Sequence, residues 1–192
     1  MKYSQTEIKE LLIGWGILSL AFGIVLHGGP SLDFAFAKSV LLSALTAGIG
    51  FILHELAHKY FAQKFGCFAE FRMNFQMLLL ALLMSFFGFM FAAPGAVMIR
   101  GNPGRIRMGQ IAVAGPLMNV VIALGFGALL FLGSGFWLEV ASYGFFINSM
   151  LALFNLLPFG MFDGAKVLAW SKVWYGASVV AAGALTFAAF NV

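Results

Sequence analysis

The sequence predicts an all-α polytopic membrane protein: a bundle of five to six transmembrane helices, with a short membrane-associated β or re-entrant segment after the second helix. Three observations predict it. Of the 192 residues, 62% are hydrophobic and 9% charged, against about 25% charged in an ordinary soluble domain. Mean hydropathy is +0.98. Uncharged apolar runs recur along the chain, punctuated by glycine and proline turns.

One bundle, 1–192, is expected, with no separate soluble domain. The net charge of +4 is better read as membrane orientation than as nucleic-acid binding, since no basic patch is interleaved with a soluble fold. The single Cys67 excludes an intrachain disulfide. It is expected as a buried or interfacial thiol rather than a metal ligand. No cleavable signal peptide is expected, because Lys2, Glu7, Lys9 and Glu10 mix both signs ahead of the first apolar run.

Taken in order, Met1 to Glu10 reads as a polar tail and Leu11 to Leu26 as the first span. His27-Gly28-Gly29-Pro30 breaks it; His27 is more readily a loop residue than a ligand. Ser39 to about Phe65 is the second span. Gly66 ends it, and Phe68 to Phe75 alternates aromatic and polar residues as an interfacial strand does. Met73 to Ile99 has no charge and is divided by Gly88 and by Pro94-Gly95. Gly101-Asn102-Pro103-Gly104 is a turn among Arg100, Arg105 and Arg107. Met108 to about Leu132, Phe136 to Pro158 and Val173 to Val192 are the remaining spans.

Basic residues orient the bundle. If Met73–Ile99 enters and returns, Lys2, Lys9, Lys59, Lys64, Arg72, Arg100, Arg105, Arg107, Lys166 and Lys172 share one side, ten of the eleven, and only Lys38 lies opposite. A single crossing would divide the eleven as five and six. The positive-inside rule prefers the first arrangement, with the N-terminus in the cytosol.

Phe51 to Tyr60 carries His54-Glu55-Leu56-Ala57-His58. Four residues apart on a helix, His54 and His58 project from one face and offer two nitrogens to one ion. Glu55 is placed to take a proton from water without binding the metal. Zn²⁺ suits neutral imidazoles and an open position. An accidental polar cluster is the bland alternative, but ionisable groups are costly in an apolar helix and usually have work to do. In the topology above, His54 lies about 22 Å along the helix from Ser39, in the inner third of a core roughly 30 Å thick. Asp163 follows the inner end of the fourth span, and meets the motif if Phe159-Gly160-Met161-Phe162 dips back in. Asp33, Glu70 and Glu139 are worse placed as a third ligand. Asp163 reads equally well as the N-cap of the last helix.

Three separated elements carry a resemblance. His54-Glu55-Leu56-Ala57-His58, Gly115-Pro116-Leu117-Met118-Asn119, and Asn155-Leu156-Leu157-Pro158 with Asp163-Gly164 resemble the HExxH, GPxxN and NxxPxxxxDG pattern of the site-2 protease family of intramembrane zinc metalloproteases. The resemblance covers 39–168. It implies one zinc per chain on His54, His58 and Asp163, with Glu55 as general base. Asn119 and Asn155 would position the substrate backbone or polarise its carbonyl; interhelical hydrogen bonding is their other role. The implied partners are the lipid bilayer and a transmembrane protein substrate, cut within or near its membrane segment from the cytosolic side. Phe162 stands where the family often has leucine, and no PDZ or CBS domain is expected beside the core. A metal transporter would use the same histidines without needing Glu55, but no internal repeat supports it. A catalytically silent metal-binding scaffold would not need the full set His54, Glu55, His58 and Asp163.

Overall fold

The computed structural model describes residues 1–90 and 94–191. Residues 91–93 of the expected Met73–Ile99 segment, and Val192 of the expected last span, lie outside the described residues.

The helices are α1 (Gln5–His27), α2 (Phe34–Ser43), α3 (Ile49–Lys64), α4 (Phe75–Ser85), α5 (Gly104–Leu129), α6 (Phe136–Asn155), α7 (Asp163–Trp170) and α8 (Lys172–Ala189). A π-helical turn, Ala44–Gly48, joins α2 to α3, so Phe34–Lys64 is one helical run. This run and α1, α5, α6 and α8 are each long and apolar enough to cross a membrane, the pattern of a multi-pass membrane protein. Strands β1 (Phe68–Met73) and β2 (Gly95–Arg100) form a two-stranded sheet. The strand expected from Phe68 therefore forms. Its partner β2 was hidden at the end of an uncharged run, where periodicity does not separate strand from helix.

The contacts fall into two units, Lys2–Ile52 with Glu70–Met98, and Met1 and Leu53–Ala69 with Ile99–Val192. In the first, a Cβ on Gly23 of α1 would lie 2.8 Å from the Val40 Cα of α2, so glycine sets that close helix approach. The π-helical turn exposes a carbonyl, and the Trp15 indole donates to Ala44 O at 3.1 Å. The Asn74 N–H donates to Pro94 O at 2.9 Å, and Gly95 packs against Arg72 and Met73. The pairing is thus antiparallel, and the segment from Asn74 to Pro94 ends beside where it began. Its helix α4 has 11 residues, about 16 Å, against a hydrocarbon core of about 30 Å. On its own α4 is too short to cross.

The expected polar tail is mostly helix. Ser4 caps α1 by accepting from the Glu7 N–H, and Glu7 is fully buried. The reason lies in β1. Alternate N–H groups of an antiparallel strand face opposite edges; those of Phe71 and Met73 face away from β2 and donate to Glu7 Oε1 at 2.9 Å and Glu10 Oε2 at 3.0 Å. Two carboxylates of α1 thereby close one edge of the sheet.

In the second unit α5 packs against α6, α7 and α8. A Cβ on Gly144 of α6 would fall 2.5 Å from the Phe126 ring of α5, and one on Gly109 of α5 would fall 2.3 Å from Trp170 of α7. Val167 of α7 is buried with Ala112 and Val113. The final helix is broken in two: Ser171, extended, ends α7 and caps α8 by accepting from the Trp174 N–H. The span expected from Met108 begins earlier, at Gly104, where the Arg105 guanidinium donates to Ala169 O at 2.6 Å and ties α5 to α7.

Candidate metal centre

Two stripes of helix meet at the site. On α3, His54 and His58 lie four residues apart; on α5, Ile111, Gly115 and Asn119 recur at the same interval. The stripes run in opposite senses. The His58 Nδ1 donates to the Ile111 carbonyl at 2.8 Å, and the His54 Nδ1 faces Asn119 Oδ1 at 2.6 Å. Between these ties, a Cβ on Gly115 would sit 2.3 Å from His58 Nε2 and 2.6 Å from His54 Nε2. Glycine is needed there because both ring nitrogens occupy the space a side chain would fill. Pro116, one residue on, lacks the N–H that would close the preceding turn of α5.

The third group arrives from α7. Phe162, extended, occupies the cap position and Asp163 is the first helical residue. The cap is therefore not Asp163, whose side chain turns inward. A Cβ on Gly164 would fall 2.1 Å from the Leu156 carbonyl oxygen, so the Asp-Gly pair lets α7 start against the backbone that ends α6. The Phe162 ring packs edge-on to Phe154 at 5.0 Å, folding the loop back. Asp163 Oδ2 then lies 3.0 Å from His58 Nε2 and 3.4 Å from His54 Nε2, while its Oδ1 accepts from Lys166 Nζ at 3.2 Å.

The protons decide what can fill this triangle. Each Nδ1 that donates its hydrogen leaves a lone pair on Nε2. The two Nε2 atoms are 3.0 Å apart, and both face a carboxylate oxygen. Three buried acceptors converge, and their mutual repulsion calls for a positive charge among them. A proton bridges one pair; a metal ion satisfies all three. His54, His58 and Asp163 together form a buried group able to bind a metal ion. A tetrahedral ion with bonds of about 2.0–2.1 Å sets ligand atoms roughly 3.3 Å apart, and the observed edges of 3.0, 3.0 and 3.4 Å fit.

Glu55 is buried beside His54, at 8% exposure. Asn119 is buried and bonds both His54 and, through Nδ2, Asn148 Oδ1 on α6 at 3.1 Å. The interhelical hydrogen bond weighed from sequence is thus present. Asn155 donates to Leu151 O of its own helix at 2.9 Å and is not joined to this cluster by any hydrogen bond among the described residues. His27, expected in a loop, is instead the last residue of α1, where it bonds Gly29 O and faces Asp33, away from this cluster. Sequence reasoning passed over Asn148 and Lys166. Asn148 had a signal, an amide in the middle of an uncharged span. Lys166 had another, a cation three residues after Asp163 on a helix.

Two relatives from Methanocaldococcus jannaschii match the chain. One, named "Putative zinc metalloprotease", is 39% identical over 180 residues, 90% of this chain and 89% of its own length. The other, named "Zinc metalloprotease", is 28% identical over 169 residues, 84% of this chain but 43% of its own length. No family profile matches the chain. No solved structure matches it.

Proposed function

Since the chain belongs to this family of zinc metalloproteases, we propose that it is a site-2-type endopeptidase that hydrolyses peptide bonds within or beside transmembrane segments of membrane proteins. The observation that carries the proposal is the location of the metal-binding group: both histidines lie inside a helical run long and apolar enough to span a membrane. The catalytic core is 39–168. The distribution of basic residues supports a site on the cytosolic side of the membrane.

His54, His58 and Asp163 hold the zinc. Zinc bound there would supply Lewis acidity for a peptide carbonyl and lower the pKa of water. Glu55, the buried carboxylate that is not among the three ligands, takes the proton from the attacking water and hands it to the leaving amine. Asn119 acts on the histidine it bonds, and Asn155 positions the substrate backbone.

A helical substrate has its carbonyls in intrahelical hydrogen bonds, so the segment to be cut must first unwind. Sheet-edge addition would hold it extended. One edge is already closed, since Glu7 and Glu10 take the outward N–H groups of β1. Among the described residues no strand pairs with the outer edge of β2, Gly95–Arg100, which suits it to take a substrate strand.

Purified protein in liposomes, given a membrane-inserted peptide, should cut it and stop when a zinc chelator is added. Glu55→Gln should keep its zinc and lose about 10²–10⁴-fold in rate. Zinc-loaded wild type that cuts no membrane peptide, or Glu55→Gln that cuts as fast, would overturn the proposal.

A further inference from the structure

His54 is tied to Asn119, and Asn119 is itself held from behind. Its Nδ2 lies 3.1 Å from Asn148 Oδ1, and the Asn148 Nδ2 lies 3.0 Å from the Gly144 carbonyl. Both asparagines are buried, Asn119 at 1% and Asn148 at 0% exposure.

An asparagine amide can be turned end for end, so its polarity has to come from a partner that cannot be turned. Here that partner is the Gly144 carbonyl, which only accepts. It fixes Asn148 with its NH₂ toward Gly144 and its oxygen toward Asn119. That oxygen in turn requires the NH₂ of Asn119, which leaves the Asn119 oxygen facing His54. His54 must then donate from Nδ1 and present the bare Nε2 to the cluster. The sign of each bond follows from the one before it.

The packing holds this line in place. Gly144 has no side chain, and a Cβ would strike Phe126 of α5 at 2.5 Å. The helices therefore approach closely enough for two short amides to reach across, one turn along from the glycine that anchors them.

We propose that Asn148 is a positioning residue: it acts through Asn119 to fix the tautomer and orientation of His54, and so sets the zinc affinity of a site it does not touch. The proposal rests on His54 being a zinc ligand. Partners behind metal-bound histidines commonly tune affinity 10–100-fold when removed.

The test is a double-mutant cycle on zinc affinity, read by competition with a chromogenic chelator in detergent. Asn148→Leu and Asn119→Leu should each weaken zinc binding about 10–100-fold. The double variant should bind no more weakly than Asn119→Leu alone, because the proposal has Asn148 act on His54 through Asn119. A merely structural role would instead give independent losses that multiply.

Asn148→Ser serves if the leucine variant does not fold. A helical serine bonds its own turn, as Ser149 does with Phe145 O at 2.6 Å, and is too short to reach Asn119. The Co²⁺-substituted protein adds a spectroscopic reading: its visible bands should shift in Asn148→Ser.

Wild-type affinity and an unshifted cobalt spectrum in the Asn148 variants, or losses that multiply in the cycle, would overturn the proposal. His54→Ala tests the premise separately. If it keeps wild-type zinc affinity, His54 is not a ligand and the zinc assignment itself fails.

Discussion

The two histidines of the site are held in different ways. His58 donates directly to a main-chain carbonyl, Ile111 O. His54 faces a side-chain amide whose polarity is passed on from Gly144 through Asn148. Both arrangements end on a backbone oxygen and leave Nε2 bare. The difference is in what substitution can reach. A backbone carbonyl is present whatever residue stands at Ile111, so the His58 tie is fixed by the path of α5. The His54 tie passes through two side chains and can be cut at either. One histidine is set by the fold and the other by sequence.

The largest effect should come where the two ties converge. Gly115→Ala puts a carbon within 2.3 Å of one ring nitrogen and 2.6 Å of the other, far inside ordinary contact distance. Alanine favours helix, so α5 should form while both rings are displaced. Elemental analysis should find almost no zinc in a protein of unchanged helical content. Full zinc occupancy would mean that the rings do not converge on Gly115, and the contrast between the two histidines would lose its basis.

Much of this was legible beforehand, and the part that was not has a common cause. The spans, the strand from Phe68 and the His54–His58 pair follow from apolar runs, alternation and a four-residue interval. Asp163 could be named as a candidate because it sat in an apolar loop on the expected side. The partners that orient these ligands were harder to see. Ile111 contributes only its carbonyl, and any residue has one. Gly115 and Gly164 were visible as motif letters, but their role is the space they leave, which appears only when a Cβ is placed against the neighbouring atoms. Glu7 and Glu10 looked like a polar tail because the N–H groups they accept from lie more than sixty positions along the chain. Sequence shows periodicity and residue type; it does not show which main-chain groups will need a partner.

The next effect in size falls on Asp163 and leaves both histidine ties intact. Gly164→Ala would place a Cβ 2.1 Å from Leu156 O and 2.6 Å from Leu157 O. Both are backbone atoms that cannot swing aside, so the start of α7 must move and carry Asp163 with it. Zinc affinity should fall by at least about tenfold, or about 1.4 kcal/mol, while the two imidazoles keep their partners. Chelator competition measures the loss. Unchanged affinity would show that two histidines suffice to hold the metal, and that the question of which one is more tunable matters more than the carboxylate.

Lys166 should matter least. Its Nζ lies 3.2 Å from Asp163 Oδ1, on the side of the carboxylate away from the histidines. The pair resembles the relay behind His54 in form, a second group steering a ligand, but differs in exposure. The Lys166 side chain is 49% exposed, whereas Asn148 is fully buried. Water can replace an exposed ammonium at little cost, and such ion pairs are worth about 0–1 kcal/mol. A buried amide has no such replacement, because removing it strands its partner without solvent. Lys166→Ala should therefore weaken zinc binding by no more than about fivefold, and less in high salt, where the screening length shortens to about 3 Å at 1 M. If Lys166→Ala instead matches the loss seen on cutting the asparagine relay, exposure is not what separates the two. The carboxylate would then be held by its ion pair, and the strongest side-chain control over the site would lie at Asp163 instead of His54.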